Sequence, residues 1–158
     1  MVIEQLDGLY REVILDHFRD PRNVGRLEHA QIKAEGTNPL CGDEIAFDLE
    51  LDGDRVKQVR FLGKGCAISQ ATGSMWTEAL QGKTLAEVRH LIQAMKGLMQ
   101  GHAPDASVEL GDLDTLVGVR KFPVRVKCAA LSWNVIEQGL QTYQQSGKHP
   151  QPPAQPST

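Results

Sequence analysis

The stretch that decides the fold is residues 45–62, IAFDLELDGDRVKQVRFL. In its first half apolar and polar side chains alternate, and this period of two predicts a β-strand with one buried face. The triplet Asp52-Gly53-Asp54 predicts a hairpin turn, because glycine adopts a positive φ without steric cost. Residues 56–62 then form the return strand, and residues 32–37 add an outer strand. The sequence therefore predicts a three-stranded antiparallel meander.

Helical patterns lie on both sides of this meander. Residues 6–18 have the apolar spacing of an amphipathic helix, which Pro21 ends because proline lacks the N–H that a helix needs. Residues 68–80 keep one apolar face, and a Thr84/Glu87 capping box starts the next helix. A short helix is expected around residues 113–116, and Pro123 suits the first turn of a last helix. The pattern predicts an α+β domain with helices packed on one face of a small sheet.

Length and charge exclude several classes of protein. The chain of 158 residues fits one domain, with 17 Lys and Arg against 20 Asp and Glu. A net charge of -3 without a basic block argues against non-specific nucleic-acid binding. No apolar run approaches the ~18 residues of a membrane span, and the N-terminus lacks the features of a secretory signal. We expect a cytoplasmic protein without a membrane or nucleic-acid partner.

The domain is expected to cover residues 1–145. Residues 146–158 are rich in proline and lack large apolar side chains, and this composition is typical of a disordered tail. The five histidines show no HxxxH or HExxH pairing, which argues against a histidine-rich metalloenzyme. His17, on the apolar face of the first predicted helix, is interpreted as a hydrogen-bonded packing residue.

The candidate chemistry belongs to three cysteines, Cys41, Cys66 and Cys128. An odd number in a reducing compartment argues against a disulfide framework. Cys41 shares a predicted turn with Asp43. Cys66 follows two glycines at the start of a helix, where the helix dipole and Lys64 favour the thiolate. Cys128 lies on an apolar helix face.

These residues can meet at one end of the sheet in a compact α+β domain. Three thiolates and the Asp43 carboxylate would complete a tetrahedral zinc site, and they would equally suit an iron–sulfur cluster. No CxxC pair is present, so the spacing favours neither metal. Simple alternatives stay open: Cys41 as a turn thiol, Cys66 as a small corner residue and Cys128 as a core residue. Ordinary surface cations are the alternative for three basic residues, Lys64, Arg125 and Lys127.

Four motifs together resemble the IscU/NifU-type iron–sulfur assembly proteins. They are DHFRDPRNVG at residues 16–25, NPLCGD at 38–43, GKGCAIS at 63–69 and FPVRVKC at 122–128. They follow the family's order, and the resemblance covers roughly residues 5–145. It implies the family's α+β fold, with helices on one face of a three-stranded sheet.

Within this family the sequence is most similar to the SufU branch. Residues 101–120 correspond to an insert that SufU-type members carry before the third cysteine. Lys127 stands where IscU carries a histidine, and Lys121-Phe122-Pro123-Val124-Arg125 replaces the LPPVK stretch by which IscU engages a chaperone. One hypothesis is that the insert contacts a cysteine desulfurase.

The resemblance implies a zinc site made by Cys41, Asp43, Cys66 and Cys128. It also implies a sulfurtransferase that accepts persulfide sulfur from a SufS-type cysteine desulfurase and passes it to a SufBCD-type assembly complex. Cys41 is expected to be the sulfur acceptor, because its turn is not constrained by a helix.

Charge balance and alternative functions complete the expectations. Three thiolates and a carboxylate on Zn²⁺ leave about two excess negative charges, which Arg125 and Lys127 are expected to offset. A second hypothesis is a scaffold on which a [2Fe–2S] cluster is assembled at the same residues and transferred. A third is a structural zinc module that binds a partner protein. Only the first makes the chain an enzyme, and the oligomeric state stays open.

Overall fold

The computed structural model describes residues 8–40 and 42–146. Cys41 and the predicted disordered tail, apart from Ser146, therefore lie outside the described residues, as do the first residues of the predicted N-terminal helix. The elements in chain order are α1 (Gly8–Arg19), β1 (Ile32–Asn38), β2 (Asp43–Asp52), β3 (Arg55–Lys64), α2 (Ala67–Leu80), α3 (Leu85–Met99), a 3₁₀ helix (Gly111–Lys121) and α4 (Pro123–Gln145).

The three strands form one antiparallel sheet in the order β1-β2-β3, as the alternating pattern predicts. Gly53 has a φ of 65° at the hairpin, a conformation that glycine adopts without strain. The pairing continues through Asn38 opposite Asp43 and Glu44 opposite Lys64. The end of β1, the start of β2 and the end of β3 therefore lie together at one end of the sheet, beside the start of α2.

Helices α2 and α4 cover one face of the sheet, which confirms the predicted α+β architecture. Gly73 in α2 lets the helix backbone approach β2 and β3, since a Cβ there would lie 2.7 Å from Phe61 and 2.8 Å from Ile45. Gly36 in β1 has the same role toward α4, because a Cβ would lie 2.7 Å from Val135. These close approaches hold α2 and α4 against the sheet, and so position the first turns of both helices at the same end of the strands.

The opposite face of the sheet differs from the prediction of a single buried face. Asp48, expected to point outward, is fully buried. It accepts two hydrogen bonds of 2.8 Å from the Arg26 guanidinium and a third, also 2.8 Å, from the Leu27 N–H. The segment that follows α1 therefore covers part of this face, and it has no periodicity from which this could be predicted.

The insert before α4 belongs to the core. The predicted short helix is an 11-residue 3₁₀ helix, Gly111–Lys121, and it buries Leu113, Leu116 and Val119. The hypothesis that the insert contacts a cysteine desulfurase could be tested by deleting residues 102–118. Such a deletion would also remove the buried Leu113 and Leu116, so weaker binding could result from a disrupted core. Among the described residues, no helix combines the length and the apolar character needed to cross a membrane.

Candidate metal centre

The side chains of three candidate ligands, Asp43, Cys66 and Cys128, lie close together at this end of the sheet. Asp43 begins β2, Cys66 immediately precedes α2 and Cys128 lies in the second turn of α4. One carboxylate oxygen and the two Sγ atoms all lie within 4.8 Å of one another. Asp43 and Cys128 are fully buried, whereas Cys66 is partly exposed. Cys41, two residues before Asp43, belongs to the undescribed part of the chain, so three of the four expected ligands are placed.

The Asp43 carboxylate is held by the turn that begins α2. Its Oδ1 accepts a 2.8 Å hydrogen bond from the Cys66 N–H, and its Oδ2 lies 3.8 Å from Cys66 Sγ. Gly65, with a φ of 136°, leaves room for this carboxylate, because a Cβ there would lie 2.7 Å from Cα of Asp43. The second glycine of the GKGC motif is therefore required by contact with Asp43.

Cys66 is the N-cap residue of α2. Its Sγ accepts a hydrogen bond of 3.5 Å from the Ser69 N–H, and the Ser69 hydroxyl donates to its carbonyl at 3.1 Å. The position at the helix N-terminus agrees with the prediction from sequence. The N–H donor and the positive end of the helix dipole both face the sulfur, as at a position that suits a negatively charged ligand atom.

Cys128 receives donors from the sheet and from its own helix. The Arg125 guanidinium and the Asn38 side-chain amide each place a nitrogen 3.8 Å from its Sγ, and the thiol is 3.7 Å from the Val124 carbonyl. The contact between Asn38 and Cys128 was not predicted from the sequence, although Asn38 begins the NPLCGD motif. A clue was available in the predicted pairing of β1 with β2, which brings the end of β1 to the start of β2.

The three basic residues expected near the centre differ in their surroundings. The guanidinium of Arg125 faces a sulfur of the centre. Lys64 is 76% exposed and forms an ion pair of 3.1 Å with Glu44 across the β2–β3 pair. Lys127 is exposed beside Cys128. Their predicted support of the centre stays a prediction.

The donor set and its size fit a zinc ion. Zinc is bound by thiolate and carboxylate ligands, and tetrahedral ligands about 2.3 Å from the ion lie about 3.7 Å apart. The 3.8 Å between Cys66 Sγ and Asp43 Oδ2 is close to that spacing. With Cys41 as a fourth donor, Asp43, Cys66 and Cys128 could close such a shell. The same atoms could ligate an iron–sulfur cluster, which is held mainly by thiolates.

A second titratable cluster consists of His17, Glu78 and Asp112. His17 is fully buried, with Nδ1 2.8 Å from the Ser74 hydroxyl and Nε2 2.8 Å from Asp112 Oδ2. The Glu78 carboxylate is 3.7 Å from Nε2. This arrangement agrees with the interpretation of His17 as a hydrogen-bonded packing residue, and it ties the 3₁₀ helix to α1 and α2.

Together these observations define a small α+β domain that brings a carboxylate and two cysteine sulfurs, candidate ligands of a metal, together at one end of its sheet. Residues 9–149 match the family model of the NifU-like N-terminal domain. The chain belongs to that family, as its four motifs predict.

Two curated relatives and one solved structure place the chain within the family. The zinc-dependent sulfurtransferase SufU of Bacillus subtilis (strain 168) is 46% identical over 135 residues, 85% of this chain and 91% of the relative. The iron–sulfur cluster assembly scaffold protein IscU of Streptococcus pyogenes serotype M1 is 36% identical over 140 residues, 89% of this chain and 87% of the relative.

The solved structure is FiSufU from the thermophile Fervidobacterium islandicum AW-1. It superimposes with a TM-score of 0.77 at 36% identity, covering 82% of this chain and 94% of that one. The likenesses to SufU and IscU proteins confirm the family resemblance that the sequence motifs predict.

Proposed function

We propose that this protein is a zinc-dependent sulfur carrier of iron–sulfur cluster assembly in the cytoplasm. It accepts persulfide sulfur from a SufS-type cysteine desulfurase and passes it to a SufBCD-type assembly complex. One observation carries the proposal: an Asp43 carboxylate oxygen and the Sγ atoms of Cys66 and Cys128 lie within 4.8 Å of one another at one end of the sheet. Similarity to a zinc-dependent sulfurtransferase, at 46% identity, supports the choice of metal and of reaction.

The metal would be held by Cys41, Asp43, Cys66 and Cys128. When bound, zinc would keep the thiolates deprotonated without redox chemistry of its own. Cys66 would bind the metal from the N-terminus of α2, and Arg125 brings a positive charge to the Cys128 sulfur. Lys127, next to Cys128, and Lys64, at the end of β3, would add positive charge around the centre.

Sulfur transfer follows the course of thiol–disulfide exchange. The Cys41 thiolate attacks the terminal sulfur of the persulfide on the desulfurase cysteine, forming a new sulfur–sulfur bond. The old sulfur–sulfur bond breaks, and the desulfurase cysteine leaves as a thiolate. One thiolate is consumed and one is released, so the step needs no external oxidant or reductant. Attack by an acceptor thiolate on the Cys41 persulfide would deliver the sulfur.

The test mixes the zinc-loaded protein with a cysteine desulfurase and cysteine in the absence of reductant. Peptide mass spectrometry locates the added sulfur, and the rate of alanine release reports desulfurase turnover. We expect one additional sulfur on Cys41 and faster alanine release than with desulfurase alone. Cys41→Ala should abolish both effects. Normal sulfur acceptance by this variant would overturn the assignment of Cys41.

A scaffold for a [2Fe–2S] cluster is the second candidate function, favoured by the similarity to an IscU scaffold protein at 36% identity. It would use the same Cys41, Asp43, Cys66 and Cys128. Anaerobic reconstitution with iron and sulfide separates the two. A stoichiometric cluster that moves to an apo-protein, together with no sulfur on Cys41 in the zinc form, would favour the scaffold.

A further inference from the structure

Asn38 is the last residue of β1 and lies directly opposite Asp43, the first residue of β2. Its side chain is buried, with 8% of the residue exposed. A buried amide requires partners for both its oxygen and its nitrogen, because an unpaired polar group costs free energy when it is removed from water. The partners of the Asn38 amide therefore indicate which parts of the metal centre this side chain contacts.

The two ends of the Asn38 amide contact two different parts of the centre. Oδ1 accepts a hydrogen bond of 3.3 Å from the N–H of Leu40, the residue before Cys41. Nδ2 lies 3.8 Å from Cys128 Sγ. The Leu40 N–H is a donor and must face the oxygen, which directs the amide N–H₂ group toward the sulfur. Asn38 thus connects the backbone of Leu40 to the Cys128 sulfur on α4.

The other contacts of the Cys128 sulfur described above come from α4. The Arg125 guanidinium and the Val124 carbonyl are three and four residues earlier in the same helix. They orient the sulfur within α4, the helix that itself packs on β1 through the close approach of Gly36 and Val135. Asn38 belongs to the sheet, so its N–H···S contact links the Cys128 sulfur directly to the residue paired with Asp43.

We propose that Asn38 is a positioning residue of the metal centre, which holds the Cys128 sulfur and the backbone of Leu40 in place relative to each other. This inference rests on the proposed function, since it assumes that Cys128 and Cys41 are ligands. Outer-shell hydrogen bonds of this kind orient metal ligands, and their removal typically weakens metal binding about 10–100-fold.

Two substitutions of Asn38 separate the effects of its amide. Asn38→Asp keeps an oxygen for the Leu40 N–H, but it replaces the N–H donor by a carboxylate facing a thiolate. Asn38→Ala removes both contacts without adding charge. We therefore expect Asn38→Asp to weaken zinc binding more than Asn38→Ala. A residue that only filled space would give the reverse order, because aspartate has nearly the shape of asparagine.

The experiment measures zinc affinity by competition with a chromophoric chelator, together with the thiolate-to-metal charge-transfer band of the Co²⁺ form. Asn134→Asp is the matched control, because Asn134 is exposed on α4 and undergoes the same chemical change. We expect about 10–100-fold weaker binding and a shifted band for Asn38→Asp, with the control within twofold of the wild type. Wild-type affinity and an unchanged band in Asn38→Asp would overturn the inference.

Cys128→Ser distinguishes this failure from a failure of the proposed function. If Cys128→Ser binds zinc as tightly as the wild type, the centre itself is misassigned and both proposals are overturned. If Cys128→Ser loses zinc and both Asn38 variants keep it, only the role of Asn38 is refuted. Circular dichroism verifies folding, and Asn38→Ala decides by the same two measurements if Asn38→Asp does not fold.

Discussion

Gly65 and Asp43 are in such close contact that position 65 tolerates no side chain. A Cβ on Gly65 would lie 2.7 Å from Cα and 3.0 Å from Cγ of Asp43, and it would overlap with Oδ1. The same carboxylate accepts the N–H of Cys66 at 2.8 Å. The turn before α2 thus provides both a hydrogen bond that holds the carboxylate and the space that the carboxylate occupies.

Gly65→Ala should therefore weaken metal binding through Asp43. The added methyl group would displace the carboxylate from the Cys66 N–H, and it would place alanine at a φ of 136°, which L-residues rarely adopt. We expect zinc affinity to fall about 10–100-fold, the effect typical of a disturbed ligand shell. Chelator competition measures this loss.

Gly82→Ala is the control for backbone strain, because Gly82 has a φ of 81° and no heavy atom outside its immediate neighbours lies within 4 Å of where a Cβ would be. It should lose stability without losing zinc. Equal loss of zinc affinity in the two variants would contradict a role for the Gly65–Asp43 contact.

Removal of the metal should lower the stability of the whole domain. A ligand that binds only the folded state stabilises it by about 4 kcal/mol when its concentration is a thousand times its Kd. We expect chelation to shift the urea midpoint of the zinc-loaded protein down, because Asp43, Cys66 and Cys128 join β2, α2 and α4. Cys128→Ser should have a lower midpoint that a chelator leaves unchanged. A further shift of that variant on chelation would contradict the assignment of Cys128.

Much of this fold is predictable because its local signals agree with its tertiary contacts. The alternation in the first half of residues 45–62 predicts β2, and the turn at Asp52-Gly53-Asp54 predicts the return strand β3. The capping box of Thr84 and Glu87 forms as its sequence predicts. The N-terminal position of Cys66 on α2 follows from the two glycines before it. In each case the residues that interact are close together in the sequence.

The features that sequence reasoning missed depend on contacts between distant segments. Asp48 has the polar side chain of an outward position, yet Arg26, 22 residues away, pairs with it under an aperiodic segment. The hydrogen bond from Asn38 to Cys128 joins residues 90 positions apart. Such pairs leave no periodic pattern, because each consists of one donor and one acceptor brought together by the fold.

Asp112→Ala should destabilise the domain by loosening the insert. His17 is buried, and Asp112 at 2.8 Å is the nearer of the two carboxylates to its Nε2. Loss of this partner should cost about 1–3 kcal/mol, the usual range for a buried polar group that loses its hydrogen bond. Asp114→Ala is the control, because Asp114 is exposed two residues further along the same 3₁₀ helix. Urea unfolding should separate the two variants, and equal midpoints would rule out this role of Asp112.

The buried ion pair between Arg26 and Asp48 should make stability depend on acid pH. Burial alone would raise the pKa of Asp48, but the hydrogen bonds from the Arg26 guanidinium and the Leu27 N–H outweigh it and hold the pKa below its ordinary value. A carboxyl group with a lowered pKa in the folded state binds its proton more readily in the unfolded state. Its contribution to stability is therefore complete above the ordinary aspartate pKa of about 3.9, and it is lost as the pH falls through the lower pKa of the folded state.

Asp48→Asn tests this dependence. The amide keeps the size of the side chain but cannot titrate, and it presents its N–H₂ group to donors that need an acceptor. We expect the variant to be less stable than the wild type near neutral pH by about 1.5–3 kcal/mol, the range for hydrogen bonds to charged groups. The difference should shrink as the pH falls below about 4, because the unfolded wild type then gains a proton at this carboxyl group and, at still lower pH, the folded state loses the ion pair. Urea unfolding of both proteins between about pH 3 and pH 7 measures this, and a difference that stays constant over that range would contradict the prediction.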